Sequence, residues 1–369
     1  MADMGISNLR TEDVLELHRS LVGIPSLSHE EREIANFLEQ HLAHRGLSPE
    51  RLGNNVVVSI GEGENTLLLN SHLDVVPPSA DHPYPAFEPQ VVDGMVFGRG
   101  TVDAKASVAA MVTAICRLHA QGFMPQNGRV LGAFTVCEET GGQDNGLQEI
   151  LPLLPDVTSA LIGEPTHMQP CVAQKGLLIL RVDAVGKSAH AARAEEGENA
   201  IMRMGRDLER LSRFTFDRVH PYLGRTTLSV TMIEGGTARN MIPDSCSIYI
   251  DIRSTPEYTH DEIAQILNEE LEGEVHVHSG RFVPTQTSQD SEIVRACLAA
   301  NPGAESFGSP TMSDWIHVKE VPTVKIGPGD SRLSHTSNEH IPEEELLESC
   351  GIYESIINAY FDADKQDQG

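Results

Sequence analysis

The sequence predicts an α/β protein in which a mostly parallel sheet with helices on both faces is interrupted by a smaller inserted α/β sandwich. In residues 1–174, and again in residues 284–369, apolar runs of strand length alternate with helical patterns, as expected for a parallel sheet. Between them, residues 175–283 follow the order β-α-β-β-α-β, which is typical of a ferredoxin-like sandwich. A chain of 369 residues is long enough for two domains.

The larger predicted domain begins with helices and continues as alternating strands and helices. A first helix is predicted from Thr11, which is a plausible N-cap in front of apolar residues at helical spacing. Apolar runs of strand length that are bounded by Gly or Pro predict the strands. The expected strands cover residues 55–60, 66–72, 129–136, 158–162 and 322–326, and the further helices cover residues 29–46, 104–121, 147–154, 290–300 and 343–361.

The inserted segment has a different pattern. Residues 177–185 alternate apolar and polar side chains, which indicates a half-exposed antiparallel strand. The remaining elements are expected as helices at 198–211 and 259–271 and as strands at 227–233, 246–252 and 274–278. Such a sheet leaves an unpaired edge strand, so we expect this domain to join two copies of the chain into a homodimer.

Charge and composition restrict the possible partners. A formal net charge of −27 argues against nucleic acid, because its phosphates would be repelled. The sequence contains no apolar stretch of membrane-spanning length, and its first residues lack the pattern of a signal peptide. Six scattered cysteines without a C-x-x-C pair predict buried thiols in a reducing compartment. We therefore expect a cytoplasmic protein without a nucleic-acid or membrane partner.

The most informative stretch is an apolar strand that ends in a histidine and an aspartate. The run Leu67–Leu69 leads into His72 and Asp74, and Pro77 then stops the strand. In open α/β sheets, functional groups gather at the carboxyl ends of strands. His72 and Asp74 point the same way in an extended chain, which suits a carboxylate that orients a metal-binding imidazole. A hydrogen-bonded surface pair is the simpler alternative for this fragment alone.

Further acids and a second histidine occupy comparable positions. Glu138 and Glu139 follow a strand, where their mutual repulsion requires compensation, and a divalent cation would supply it. A solvated acidic loop is the alternative. Asp103 begins a helix, Glu164 follows another strand, and His335 lies in a Gly-containing loop. The convergence of these residues with the first histidine favours a metal site.

Two histidines with three carboxylates form the expected ligand set. Imidazole together with carboxylate suits Zn²⁺, Co²⁺ or Mn²⁺ better than Mg²⁺ or Ca²⁺, which prefer oxygen ligands alone. Five ligands exceed what one tetrahedral ion needs. Two ions that share a bridging carboxylate would use all of them, and such a pair is typical of a hydrolytic centre.

These motifs resemble the M20 family of metallopeptidases and deacylases, which includes acetylornithine deacetylase, succinyl-diaminopimelate desuccinylase, aminoacylase and glutamate carboxypeptidases. The resemblance extends over nearly the whole chain, and the motifs occur in the family's order. The matching segments are SHLDVVP at 71–77, GRGTVDAK at 98–105, EETG at 138–141, GEPT at 163–166, GKSAH at 186–190, GGTARNMIP at 235–243 and DIR at 251–253.

The resemblance implies two divalent cations, zinc in the first place and cobalt as the alternative. It implies that His72 and Glu164 bind one ion, that Asp103 bridges both, and that Glu139 and His335 bind the second. Asp74 would support His72. Glu138 would be the general base that takes a proton from the activated water and passes it to the leaving amine.

In the small domain the resemblance implies roles in substrate binding. His190 matches a histidine that reaches the partner's active site and stabilises the oxyanion, although its residue pattern alone fits a locally hydrogen-bonded turn histidine. Asn240 and Arg253 match positions near the substrate. Arg253 could bind a substrate carboxylate through paired hydrogen bonds, or could form a structural ion pair. The chain departs from the family at Ala104 and Ala106, which flank Lys105, and at Ala194, where Met, Gly and Pro are usual, and we expect only local packing changes there.

The segment from Pro310 resembles acetylornithine deacetylase-type members, and its Thr311, Ser313 and Asp314 lie in a loop that could contact the substrate. The expected substrate is an N-acyl amino acid, N-acetylornithine first, which would place the enzyme in amino-acid (arginine) biosynthesis. Succinyl-diaminopimelate, acetyl-lysine, acetylcitrulline and small dipeptides stay open as substrates. An inactive metal-binding homologue is the non-enzymatic alternative, but it is disfavoured because every expected ligand and the base are present.

Overall fold

The structure, a computed structural model, describes residues 4–142 and 144–363. The chain divides into two compact units. The first unit comprises the described residues up to Val172, the segment Thr287–Phe307 and the residues from Ser313 onward. The second unit comprises Ala173–Gln286 and Gly308–Met312.

The described residues form helices and strands in the following order. The helices are α1 (Met4–Val22), α2 (Arg32–His44), α3 (Lys105–Ala120), α4 (Gly146–Ile150), α5 (Ala200–Arg213), α6 (His260–Glu270), α7 (Glu292–Ala300) and α8 (Glu343–Ala363), with short 3₁₀ helices at Leu151–Leu153, Ala191–Glu196, Asp314–Val318 and Ser331–Leu333. The strands are β1 (Glu50–Leu52), β2 (Asn55–Ile60), β3 (Asn65–His72), β4 (Gln90–Val92), β5 (Met95–Phe97), β6 (Gly128–Thr135), β7 (Ser159–Ile162), β8 (Cys171–Gln174), β9 (Gly176–Val185), β10 (Ala189–His190), β11 (Val219–His220), β12 (Gly224–Arg225), β13 (Thr227–Gly235), β14 (Met241–Ile242), β15 (Ser245–Ser254), β16 (Glu274–Phe282), β17 (Thr285–Gln286), β18 (Phe307–Ser309), β19 (Thr323–Lys325) and β20 (His340–Pro342).

The first unit is built on a sheet whose centre is parallel. Its strands follow the order β1-β2-β6-β3-β7-β19, and the neighbours β6, β3, β7 and β19 all run parallel to one another. β1 and β2 are antiparallel additions at one edge. The predicted α/β class with a mostly parallel central sheet is confirmed.

The central strands are buried on both faces because helices cover both sides. In β3, Leu67 and Leu69 pack in the main core with side chains of α1, α2, α3, α7 and α8. Leu68 points the opposite way, into a second core with Leu147 of α4 and the buried Trp315. This alternation of faces is why the strand reads as a continuous apolar run in the sequence.

The second unit is a four-stranded antiparallel sheet with two helices. The strand order is β13-β15-β9-β16, and the chain order of its elements is β-α-β-β-α-β. Leu178, Leu180 and Val182 of β9 form one core with buried side chains of α5 and α6. A capping box at Thr259 and Glu262 begins α6. The predicted inserted ferredoxin-like sandwich is confirmed.

The first helix and one hairpin differ from the expectation, and several short strands (β1, β8, β10, β11, β12, β14, β17 and β18) are additions to the predicted elements. The first helix begins at Met4 rather than at Thr11. In addition, β4 and β5 form a hairpin that pairs with β20, and none of these three strands is among the predicted elements. The hairpin turn is Asp93-Gly94, with positive φ at both residues, and Asp-Gly between apolar residues is its sequence signal.

Within residues 4–142 and 144–363, none of the helices is long and apolar enough to cross a membrane. All six cysteines lie among the described residues, where they are buried and form no disulfide bond, as the sequence predicts.

A buried histidine connects α1 to the loop in front of α3. The Nε2–H of His18 donates a hydrogen bond of 2.9 Å to the carbonyl oxygen of Thr101. Burial lowers the pKa of His18 to about 4, although the hydrogen bond opposes the shift. The side chain is therefore neutral in the folded protein at neutral pH.

We expect His18 to make the protein less stable in acid. Its folded pKa lies below the unfolded value of about 6.5, so the unfolded state binds the extra proton and stability falls as the pH drops through this window. His18→Gln keeps a donor for Thr101 but does not titrate. Between about pH 7.5 and 4.5 the wild type should lose about 2–3 kcal/mol more free energy of unfolding than the variant. Urea unfolding at both pH values measures this, and equal losses would contradict the prediction.

Candidate metal centre

The carboxyl ends of the parallel strands bring the expected ligands to one edge of the sheet. His72 is the last residue of β3, Glu138 and Glu139 follow β6, and Glu164 follows β7. Parallel neighbours end on the same side, so these side chains meet although they are distant in sequence. The loop after β19 brings His335 to them.

Asp103 lies between the two histidines, and each of its carboxylate oxygens faces one of them. Its Oδ1 is 3.1 Å from the Nε2 of His72, and its Oδ2 is 3.4 Å from the Nε2 of His335. The Nε2 of His72 also lies 3.8 Å from Glu164, and the Nε2 of His335 lies 3.0 Å from Glu139. Two donor clusters therefore share one carboxylate.

Glu138 completes the constellation. One ligand atom each from His72, Glu138 and Glu164 lies within 4.8 Å of the others, and the same holds for His72, Asp103 and Glu139. The structure thus brings together every residue that the sequence suggests as a metal ligand or base. Imidazole nitrogens with carboxylate oxygens are the donors that zinc and similar transition-metal ions prefer, so these residues fit a pair of such ions.

The electrostatics of the cluster show an excess of buried negative charge. Burial raises the pKa of Glu164 to about 8, and the charge of Asp103 adds to the effect. Burial also raises the pKa of Glu138 well above its ordinary range, with Glu164 contributing and His72 opposing. Burial opposes a charge on His72, yet its hydrogen bonds to Asp103 and Asp74 raise its pKa well above the ordinary value. Divalent cations would replace these protons and compensate the carboxylates.

Asp74 plays a broader part than the sequence suggests. The Nδ1–H of His72 donates a hydrogen bond of 2.9 Å to the main-chain oxygen of Asp74. The carboxylate of Asp74 is farther from this nitrogen, at 3.5 Å. That carboxylate accepts hydrogen bonds of 3.1 Å from the N–H groups of both Glu138 and Glu139, and one of 2.7 Å from Ser28. The backbone of Asp74 thus orients the imidazole, and its side chain holds the loop that carries the two glutamates.

Glu339 is a supporting residue that sequence reasoning missed. Its fully buried carboxylate pairs with Arg99 and accepts hydrogen bonds of 3.0, 2.9 and 3.1 Å from the N–H groups of Gly100, Val102 and Asp103. These bonds shape the turn that presents the Asp103 carboxylate. The sequence offers only one signal, the position of Glu339 shortly after His335, because local pattern cannot show which acid is buried.

A second buried acid lies behind Glu138. Asp314 accepts a hydrogen bond of 2.6 Å from the side-chain amide of Asn145 and one of 3.3 Å from the hydroxyl of Thr135. Burial raises its pKa, and its charge contributes to the raised pKa of Glu138. Its neighbour Ser313 is buried and caps the 3₁₀ helix through the N–H of Trp315.

The other expected substrate residues lie in the second unit. His190 is exposed, and its Nδ1 accepts a hydrogen bond of 3.1 Å from the N–H of Ala192, so the ring proton lies on Nε2 when the imidazole is neutral. The main-chain oxygen of Asn240 accepts a hydrogen bond of 2.9 Å from the N–H of Ala191, the residue that follows His190.

Arg253 and Thr311, also in the second unit, have partners within the chain. Arg253 forms two hydrogen bonds with the carboxylate of Asp251 on the same strand, at 2.9 and 3.3 Å. This is the ion pair that the sequence leaves open as an alternative for Arg253. Thr311 is 2.8 Å from the hydroxyl of Ser309.

The fold and the paired donor clusters define a metal-binding α/β protein with an inserted sandwich. The model of peptidase family M20/M25/M40 matches residues 68–359. The chain therefore belongs to this family of metal-dependent hydrolases, as the motifs predict.

Individual relatives show how broad the family is. The chain is 30% identical over 309 residues to an acetylornithine deacetylase of Myxococcus xanthus, covering 78% of each protein. It is 24% identical to a succinyl-diaminopimelate desuccinylase of Ehrlichia canis, covering 95% of this chain and 98% of the relative. The fold is shared with a dinuclear metal-binding M20 peptidase of Bacillus subtilis, with a TM-score of 0.74 at 17% identity, covering 96% of this chain and 98% of that one.

We predict that Glu339→Ala destabilises the protein by about 3–5 kcal/mol, because it leaves the Arg99 guanidinium buried without its partner. The matched control is Glu354→Ala, which removes a partly exposed ion pair with Arg117 and should cost about 1 kcal/mol or less. Urea unfolding of the three proteins measures the difference. Equal losses in the two variants would contradict the assigned role of Glu339.

Proposed function

We propose that the protein hydrolyses the amide bond of an N-acyl amino acid, with N-acetylornithine as the first candidate substrate. The observation that supports this most directly is the position of Glu138 beside two histidine–carboxylate clusters that share Asp103. A hydrolytic centre needs a carboxylate beside the metal ligands as a general base, whereas a purely structural metal site does not need such a group. The 30% identical acetylornithine deacetylase supports the choice of substrate.

His72, Asp103 and Glu164 would hold one cation, and Asp103, Glu139 and His335 would hold the other. The donor types favour Zn²⁺, with Co²⁺ as the alternative. When bound, the ions supply Lewis acidity that polarises the scissile carbonyl and lowers the pKa of a water molecule.

Glu138 acts as the general base in this proposal. Its carboxylate accepts the proton of the attacking water and passes it to the nitrogen of the leaving amine, so the same group serves as base and then as acid. The hydrogen bonds from the loop to Asp74 keep Glu138 in place during both transfers.

The second unit would bind the rest of the substrate. The Nε2–H of His190 is a suitable donor for the oxyanion that forms as the carbonyl becomes tetrahedral. Arg253 would bind the substrate carboxylate after exchanging its present partner, Asp251. Asn240, Thr311 and Ser313 complete the proposed contacts.

Other acyl groups are the main competing substrates. The desuccinylase relative covers nearly the whole chain, so succinyl-diaminopimelate is the second candidate, followed by acetyl-lysine, acetylcitrulline and small dipeptides. A binding protein without activity is disfavoured, because Glu138 lies with four of the expected ligands and the fifth, His335, contacts Asp103 and Glu139. We place the enzyme in the cytoplasm, where its six cysteines, which form no disulfide bond in the structure, would remain reduced.

The role of Glu138 is tested by Glu138→Gln, which keeps the shape of the side chain but cannot accept a proton. Bound metal, measured by elemental analysis, should remain nearly unchanged. Turnover of N-acetylornithine should fall by about 10²-fold to 10⁴-fold, the usual contribution of a positioned base. Glu149→Gln, on an exposed position of α4, is the control and should keep full turnover. Unchanged turnover in Glu138→Gln would remove this residue from the mechanism.

The substrate is tested with a panel of N-acetylornithine, succinyl-diaminopimelate, acetyl-lysine, acetylcitrulline and a Gly-containing dipeptide. We expect hydrolysis to disappear after dialysis against a chelator and to return with Zn²⁺ or Co²⁺, because the ions activate the water. N-Acetylornithine should have the highest kcat/KM. If another member of the panel has the highest kcat/KM, it replaces N-acetylornithine as the proposed substrate. Absence of hydrolysis with metal bound would contradict the proposed activity.

We further propose that the second unit joins two copies of the chain. The sheet ends at β13, whose residues are exposed almost throughout. Met232 and Ile233 of this strand are 53% and 55% exposed, and Met202 of α5 is 65% exposed. An apolar edge strand of this kind favours pairing with an identical edge.

A charge on this edge should separate the copies. We expect the wild type to be a dimer by sedimentation equilibrium and Ile233→Glu to be a monomer, because the glutamate would lose its hydration in the interface. Val277→Glu is the matched control, since Val277 is 53% exposed on β16 at the opposite edge of the same sheet. A dimeric Ile233→Glu, or a monomeric wild type, would contradict the proposed interface.

A further inference from the structure

A third group of metal-binding side chains lies beside the shared-carboxylate clusters and is separate from them. His29, Cys137 and Asp144 each offer a ligand atom within 4.8 Å of the others. The Sγ of Cys137 is 3.5 Å from the Nδ1 of His29, and the Nε2 of His29 is 3.3 Å from Asp144. We infer that these three residues form a mononuclear site for zinc or another divalent cation with affinity for sulfur.

The spacing fits tetrahedral coordination. Zinc binds thiolate at about 2.3 Å and imidazole nitrogen at about 2.0–2.1 Å, so a tetrahedral angle separates sulfur from nitrogen by roughly 3.5 Å. The observed distance from the Cys137 sulfur to the His29 nitrogen is 3.5 Å. An ion can therefore bind both atoms without moving either loop. Asp144 faces the other ring nitrogen, Nε2, so its exposed side chain has to rotate towards Nδ1 to become the third ligand.

Glu31 holds the two ligand loops in this arrangement. Its Oε1 accepts hydrogen bonds from the N–H of His29 at 2.9 Å and from the N–H of Cys137 at 3.2 Å. The side chain of Glu31 is buried, so these bonds are shielded from water. The ligand positions are therefore set by the fold before any ion binds.

Cation binding exchanges a proton for the metal. The S–H of Cys137 donates to Glu31 at 3.3 Å, so this carboxylate is the immediate acceptor when the S–H bond breaks. The proton then passes to solvent, and the sulfur lone pair forms the bond to the cation. His29 and Asp144 are exposed while Cys137 is buried, so the ion enters from the solvent side and keeps water as its remaining ligand.

The position of the site gives it a structural consequence. Cys137 directly precedes Glu138, so a bound ion ties the loop containing His29 to the loop that carries the proposed base. This inference does not rest on the proposed hydrolytic activity, because its three ligands are distinct from those of the shared-carboxylate clusters.

The donor chemistry allows a selective test. The shared-carboxylate clusters contain nitrogen and oxygen donors only, so a thiolate-to-Co²⁺ charge-transfer band would report the third site alone. We expect metal-free full-length protein, titrated anaerobically with Co²⁺, to develop this near-ultraviolet band to the level of one thiolate-bound ion per chain. Cys137→Ala should remove the band.

Two further variants make the result decisive. Asparagine tolerates the positive φ of 74° at the exposed position 29, so His29→Asn should keep the backbone unchanged. We expect the Co²⁺ affinity, measured from the intensity of the band, to fall by about 10-fold to 100-fold. Cys246→Ala removes another buried cysteine, in the second unit, and should leave the band intact. Absence of the band in the wild type, its persistence in Cys137→Ala, or unchanged affinity in His29→Asn would overturn the inference.

Discussion

The concentration of buried carboxylates at one edge of the parallel sheet is the constraint on which the rest of the first unit depends. Glu138, Glu139 and Glu164 meet there because parallel strands end on the same side, and the turn in front of α3 adds Asp103. Like charges in a buried place raise one another's pKa, and the protein compensates with two histidines that face Asp103 from opposite sides. Cations in place of protons would turn this electrostatic cost into binding energy.

The loops that carry these acids need supports that contribute no ligand. Asp74 holds the two glutamates after β6 through their backbone N–H groups, and Glu339 holds the turn before Asp103 in the same way. In both cases a buried carboxylate accepts several main-chain hydrogen bonds, which is a rigid arrangement because each lost bond would leave a buried polar group unsatisfied. Precise placement of metal ligands depends on such outer contacts.

The second unit has a sheet that is covered on one face only, unlike the central sheet of the first unit. Its antiparallel sheet has one face covered by α5 and α6, so its strands alternate, and its edge strand β13 keeps apolar side chains exposed. The first unit thus uses a parallel sheet to assemble charged groups, whereas the second unit presents an exposed apolar strand at the edge of an antiparallel sheet. Both are needed for the proposed function, since the first supplies the base and the ligands and the second supplies His190.

The sequence by itself determined the fold class, the strand that ends in His72, the strands that Glu138 and Glu164 follow, and the order of elements in the sandwich. These features are local, because apolar periodicity and the residue that follows a strand can be read from a few neighbouring positions. Only the tertiary structure decided that Asp74 acts on the glutamate loop, that Glu339 pairs with Arg99, and that Cys137 meets His29. The partners in these contacts are 64, 240 and 108 residues apart in the chain. Which buried charges and polar groups meet across such separations depends on how the whole chain packs, and no local pattern records it.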